Sequence, residues 1–389
     1  MSNNGHSPQI DYHLHGLVGI RLIDPSPSDV QAVTRQLGPI QSPLSSKPDI
    51  TIRFVDRLSA SSRVRFLGVD EAGFTDDAFL VLRSRHKARA RVQIPMDRIG
   101  KDCEIICETG LPAVPLLIPI INLTALGKGG VPLHASAFIY NDKGVITTGW
   151  SRGGKTEMLL AFTSHGAEYI GDEWVYISPD GQRMHGIPEP IRVWDWHLED
   201  LPQYRVYVSR GDRARWQAIK MLQAMDRMTS PRARQEFPPA KALNRLMPLL
   251  KSQLSADIHP ERLFGNRFGS LTGNFDLLLF AASHDMPGTH VEPITPSQVA
   301  RRMVFSLQYE RLAFMGYYNM FRFAFPDRVN SLVERAEEIQ RELLMQVMAN
   351  KPAYAVYHPY PAVIPDLFDA VSPLIDSFST TGEHGIRKV

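Results

Sequence analysis

Eight consecutive residues, Gly149-Trp150-Ser151-Arg152-Gly153-Gly154-Lys155-Thr156, meet every fixed position of the spacing G-x-x-x-x-G-K-[ST]. These residue types suit one task. Glycines let a backbone wrap around a polyphosphate with several N–H groups turned inward, helped by the positive end of a helix that starts in the loop. Gly149, Ser151, Arg152, Gly153 and Gly154 would line that cradle. Lys155 would reach the outer phosphates, and the Thr156 hydroxyl would sit on a divalent cation. The spacing has meaning only between a strand and a helix. Residues 144–148 (Gly-Val-Ile-Thr-Thr) read as a buried strand and residues 157–162 (Glu-Met-Leu-Leu-Ala-Phe) as a helix.

Three more residues fall where phosphoryl transfer would need them. His134 lies on the preceding strand, and Asp172 and Glu173 end the strand that follows the loop's helix. In an open α/β sheet the C-terminal ends of neighbouring strands converge beside such a loop. There one carboxylate can hold a metal and another can accept a proton. Each residue also has a plainer reading: a lone strand histidine is commonly structural, and an Asp-Glu pair after a strand is commonly a turn.

The elements that would position these groups follow from pattern. Residues 10–110 are β-rich: 49–55 alternates apolar and polar side chains, 79–83 and 90–95 continue the habit, and a helix over 28–37 interrupts them. A helix over 114–126 leads to Gly127-Lys-Gly-Gly130, a helix stop and hinge. Strands at 133–140 and 144–148 are joined by a hairpin turn at Asn141-Asp142-Lys143-Gly144. Further strands are expected at 167–170, 174–177, 275–281 and 354–357. Thr295 caps a helix running to about residue 314, Asp327 caps another running to 350, and a last helix covers 361–375. The predicted organisation is a β-rich accessory unit over 1–126, a core over 127–325, and a helical region over 326–389 with a frayed tail.

Composition narrows the function classes. With 43 Lys+Arg against 41 Asp+Glu, the formal charge of +2 argues against a dedicated nucleic-acid binder. Residues 201–256 are locally basic and form a predicted helical insert, which either holds an acidic partner or the nucleotide, or is a solvated face. Trp216 offers a stacking ring there, but no nucleic-acid module surrounds it. Cys103 and Cys107 share a strand and lack metal-ligand spacing, so they read as semi-buried thiols. The most apolar run, 111–122, is broken by three prolines, and no secretory leader is visible. A soluble cytoplasmic chain with no membrane partner is expected.

The stretches 133–157 and 166–177 resemble the HPr kinase/phosphorylase family, within the superfamily that includes the phosphoenolpyruvate carboxykinases. His134 stands fifteen residues before Gly149, Glu157 follows the loop's Thr156, and the acid pair Asp172-Glu173 closes the next strand, as in that family. The resemblance spans about 45 residues, 133–177, and continues loosely through 275–281. It implies an α/β phosphate-loop kinase core with ATP and Mg²⁺ as cofactors and a hydroxyl, typically a serine, as acceptor. Lys155 and His134 would stand near the phosphates, Glu157 would adjoin the nucleotide site, Asp172 would serve metal and proton chemistry with Glu173 as partner, and Thr156 and Asp172 would be the metal ligands. Relatives are often homo-oligomers.

Two departures bear on the acceptor. The family usually carries Asp-Asp where this chain has Asp172-Glu173, and its Arg-Gly-Leu-Gly-type signature is replaced by the segment 186–195, in which Glu189, Arg192 or Asp195 would have to supply any matching contact. A target other than HPr is therefore expected: a peptide, protein or small molecule. Two competing readings stay open: a nucleotide-binding regulatory or assembly protein without phosphotransfer, and a carboxykinase-type enzyme, for which no matching ligand motif is found.

Overall fold

The structure, a computed structural model, describes residues 8–59, 61–68, 71–83, 89–228 and 238–380. Its architecture is mixed α/β, built on two large sheets. The first sheet contains β1 (Gln9–Leu14), β2 (Val18–Ile23), β3 (Ile50–Val55), β4 (Arg65–Leu67), β5 (Ala72–Phe74), β6 (Phe79–Arg83), β7 (Arg89–Gln93) and β8 (Cys103–Glu108). Their order across the sheet is β1-β2-β3-β8-β7-β6-β5-β4. The alternation read at 49–55 places Ile50, Ile52 and Phe54 in the core. Helix Pro27–Leu37 makes the crossover between the parallel strands β2 and β3. Ser26 caps it, with Asp29 completing a capping box. Cys103 and Cys107 are buried free thiols, pushed up to about 12 by burial, as inert core cysteines should be.

The second sheet carries the candidate site. It comprises β9 (Val131–Tyr140), β10 (Lys143–Gly149), β11 (Glu168–Gly171), β12 (Trp174–Ile177), β13 (Arg183–Gly186), β16 (Thr272–Asn274), β17 (Leu277–His284), β18 (His290–Pro293) and β19 (Ala353–Pro359). A separate ribbon pairs β14 (Ile191–Trp194) with β15 (Ser255–Ile258). The main order is β16-β13-β12-β9-β10-β17-β19-β18, with β11 also paired to β9. Asn141 and Asp142 both have positive φ, 48° and 60°, and form the two-residue hairpin between β9 and β10.

β11 and β12 run as one line of chain beside β9, interrupted at Asp172-Glu173. Gly171 sits opposite Ala137 and Trp174 opposite His134, with a register shift between Tyr169 and Gly171. The acid pair is therefore a break within a continuing strand, and Glu173 takes φ 66° there. Interruptions of this kind turn side chains out of the pleat.

Several expected boundaries move. Helix Pro296–Ala324 runs ten residues past its expected end at 314: residues 315–324 hold no proline, and burial of Tyr318 and Phe321 outweighs the low helix propensity of Gly316. Thr295 caps it as expected. The cap of the next helical stretch is Asn330, not Asp327: its side chain accepts from the N–H groups of Leu332 and Val333 and donates to the carbonyls of Met96 and Ile99, each at 2.9 Å. That stretch breaks at Arg335 into Ser331–Glu334 and Ala336–Met348. Helix Ile364–Thr380 closes the described chain.

The basic insert leaves and returns through the β14–β15 ribbon and contains helices Arg210–Met228 and Pro238–Lys251. The expected separator at 229–232 lies outside the described residues. Trp216 is 4% exposed and packs in the core, so it offers no stacking platform. Arg192 pairs with Asp257 across the ribbon while its charge also helps to lower the Glu173 pKa, and Asp195 pairs with Lys220 of the insert. Among the described residues no helix is long and apolar enough to cross a membrane.

The two sheets meet at a histidine pair. The rings of His15 and His185 stack with centroids 4.9 Å apart, and His15 Nε2 donates to the Gly186 carbonyl at 2.9 Å. Burial, with added repulsion from His15, holds His185 down at about 4, and burial also lowers His15. An unfolded histidine titrates at ~6.5, so as the pH drops from there toward 4 the unfolded chain binds more protons and the fold loses stability. Thermal unfolding at pH 7.5 and 5.0 should therefore show a drop in Tm that shrinks in His185→Asn. An equal drop in both proteins would remove the pair from the pH response.

Candidate functional site

β10 ends at Gly149, the backbone turns through residues 150–154, and helix Lys155–Ser164 begins. Sequence-adjacent residues thus form one continuous cradle, with Arg152 at φ 62° and Gly154 at φ 96°. The glycines are dictated by what lies under the loop. A Cβ on Gly149 would stand 2.3 Å from the Ala281 carbonyl oxygen of β17, and a Cβ on Gly154 would stand 2.1 Å from His358 Nε2 of β19. Gly153 is nearly as confined, 2.9 Å from the Trp150 oxygen. The loop is tied down from below: His358 Nε2 donates to the Gly153 carbonyl at 3.0 Å, Ser306 Oγ to the Gly149 carbonyl at 3.2 Å, and Ser136 Oγ to the Lys155 carbonyl at 2.6 Å.

Lys155 is 6% exposed, and its ammonium donates to the Trp150 carbonyl at 2.9 Å. Burial lowers its pKa, opposed by the charges of Glu173, Asp172, Glu310 and Glu157. Thr156 Oγ1 donates to Asp172 Oδ2 at 3.0 Å. Asp172, 2% exposed, is pushed up to about 7, first by burial and then by the adjacent Glu173 charge.

Glu173 goes the other way. Its side chain is half exposed, and its hydrogen bond from His134 Nε2, 3.0 Å, holds its pKa down. His134 Nδ1 lies 3.0 Å from Glu310 Oε1, within ion-pair range but out of line for a hydrogen bond. Burial alone would lower the His134 pKa; the hydrogen bond to Glu173 and the Glu310 carboxylate outweigh it and raise the value. The ring is therefore a histidine held toward its charged form between two acids.

Glu157 points to the opposite side of the helix start. His197 Nε2 lies 3.1 Å from Glu157 Oε1, and His197 Nδ1 accepts from the Trp194 N–H at 3.2 Å. That acceptor role at Nδ1 leaves Nε2 as the donor, so Glu157 is held as a carboxylate, its pKa lowered by His197 against the effect of burial.

The sequence-predicted residues Lys155, Thr156, Asp172, Glu173 and His134 thus converge, with Glu157 in the same first helical turn but paired to His197. Four contributors carry no local signal in the sequence: Glu310 and Ser306 from the long helix, His358 from β19, and His197 from the segment after β14. Each meets the loop only through sheet order and helix packing.

The fit to ATP and Mg²⁺ rests on this geometry. The backbone cradle admits no Cβ at two glycines, a buried ammonium stands at its centre, and a hydroxyl–carboxylate pair stands at its edge. Among the described residues no group of three or more His, Cys, Asp or Glu side chains is placed to cage a metal. Mg²⁺ beside a polyphosphate ordinarily takes one or two protein ligands and fills its shell with water and phosphate oxygens, which Thr156 and Asp172 suit. Compared with protein-family models the chain finds no match, and compared with curated proteins it finds none either.

Gly149→Ala must displace backbone of β17, and such overpacking costs about 1–3 kcal/mol. A Tm lowered by several degrees is expected, whereas Gly316→Ala, which meets open space within a helix, should be neutral or stabilising. Equal effects of the two substitutions in thermal denaturation would show that the loop is not pressed against β17.

Proposed function

We propose that the chain is a phosphotransferase of HPr-kinase-like type, moving a phosphoryl group from ATP to an acceptor hydroxyl with Mg²⁺. The observation that supports this most strongly is the Thr156–Asp172 contact beside a buried Lys155 at the mouth of the Gly149–Thr156 cradle. When bound, ATP supplies the phosphoryl group and Mg²⁺ neutralises its oxygens. Loop N–H groups and Lys155 hold the polyphosphate, and Thr156 and Asp172 hold the metal.

The remaining chemistry falls to the chain's own side chains. Asp172, buried beside Thr156 at the mouth of the cradle, is the carboxylate placed to take the proton of the acceptor hydroxyl. Lys155 and the charged His134 face the negative charge that builds on the transferred group. Glu173 holds His134 by one nitrogen, and Glu310 stands at the other. Glu173 stands where the family usually has Asp, and its carboxylate reaches His134 at 3.0 Å. The acid pair thus divides its labour, one carboxylate for the proton and one for the histidine.

Incubation with Mg²⁺ and γ-labelled ATP, with free serine, serine peptides and cell extract offered separately, should move label to an acceptor. Asp172→Asn should lower turnover by about 10²–10⁴-fold, the range of general-base catalysis. Lys155→Ala should abolish transfer, and Glu173→Asp should lower it less than Asp172→Asn. Tight ATP binding with no label on any acceptor would instead support a regulatory nucleotide-binding protein.

A further inference from the structure

An exposed apolar patch stands directly against the phosphate cradle. Trp150, the second residue of the loop, is 51% exposed, and its ring lies 5.1 Å from that of Tyr309 on helix Pro296–Ala324, itself 51% exposed. Phe305 and Leu312, 56% and 61% exposed, lie on the same helical face as Tyr309 by their spacing of four and three residues. Single exposed apolar residues are ordinary; four large ones sharing a border with a reaction site mark a binding surface.

Its side of the site is set by two contacts. The Lys155 ammonium bonds to the carbonyl of Trp150 itself, and the residue after Tyr309, Glu310, meets His134. The patch therefore borders the Lys155–His134 end of the cradle, where transfer would take place. The exposed charges that the helix and the loop add along the patch are positive, with the half-exposed Glu173 standing beyond His134. Arg301 and Arg302 on the helix and Arg152 on the loop are exposed, and Glu310, turned in to His134, is the sole acid between Arg301 and Gly316.

The geometry points to Trp150, Phe305, Tyr309 and Leu312 as the docking surface for an acceptor polypeptide segment, one with bulky apolar residues close to the phosphorylated hydroxyl and acidic residues beyond them. This assignment rests on the phosphotransferase reading. Phe305 and Leu312 are seven residues apart, so the face is about 10 Å long at ~1.5 Å per residue. An extended chain needs about three residues to cover that length. A free amino acid would leave most of it bare, whereas a peptide strand covers it and brings carboxylates to Arg301 and Arg302.

Two fluorescein-labelled synthetic peptides of equal length test this, each with one serine, the first flanked by Leu, Phe and Glu and the second by Gly and Lys. Binding is read by fluorescence polarisation with Mg²⁺ and a non-hydrolysable ATP analogue. The apolar–acidic peptide should bind at least about tenfold more tightly, as loss of central aromatic anchors commonly costs that much. The variant Phe305→Ser/Tyr309→Ser/Leu312→Ser should lose the preference while still binding the analogue. If that variant fails to fold, Arg301→Glu/Arg302→Glu decides, and should reverse the preference for acidic flanks.

Equal binding of the two peptides, or a preference that survives these changes, overturns the docking surface. So does a shift of the native chain from oligomer to monomer in the triple variant by sedimentation, which would give the face to a second copy. A retained peptide preference with no label transferred from ATP would leave the docking surface standing and overturn the phosphotransferase reading alone.

Discussion

A buried ammonium organises this site. Lys155 is almost wholly removed from water, and an unpaired charge in such a place costs several kcal/mol. The chain meets that cost with one carbonyl at 2.9 Å and four carboxylates whose fields oppose its loss of charge. Asp172 and Glu173 come from the interrupted strand beside β9, Glu157 from the loop's own helix, and Glu310 from the middle of the long helix Pro296–Ala324. Sheet order, the break at 172–173 and the docking of helix Pro296–Ala324 all converge on neutralising that one cation.

The carboxylates then need different treatment, because several like charges cannot all ionise freely in a small volume. His134 takes Glu173 and stands against Glu310, and His197 takes Glu157. Asp172 is left with a hydroxyl, Thr156, as its hydrogen-bond partner, and burial moves it furthest from its ordinary value. The environment thus separates one acid with a raised pKa from its neighbours by partner choice.

Legibility in the sequence followed the range of the interactions. The loop, its strand and its helix are defined by spacing within about twenty residues, and their geometry follows from glycine's freedom at φ 96° and from close contact at Gly149 and Gly154. The α/β class was likewise legible from alternation in the strands and capping at Ser26 and Thr295. The contributions of His358, Ser306 and Glu310 were not, since nothing near them in the chain marks them. The acid pair was legible as a pair but not as a break within a strand, because the pairing partner His134 lies 39 positions away. Trp216 looked like a surface ring in a basic segment and is a core residue, since the helix it sits on turns its apolar face to the ribbon and its arginines to water.

Phosphoryl transfer here requires first that the cradle bind a magnesium-bound nucleoside triphosphate. Calorimetric titration of ATP into the purified chain, with and without Mg²⁺, tests that directly and needs no knowledge of the acceptor. One molecule of ATP bound per chain, dependent on Mg²⁺ in the native protein and lost in Lys155→Ala, is the predicted result. Absence of binding in the native protein, or binding indifferent to Lys155, would contradict it.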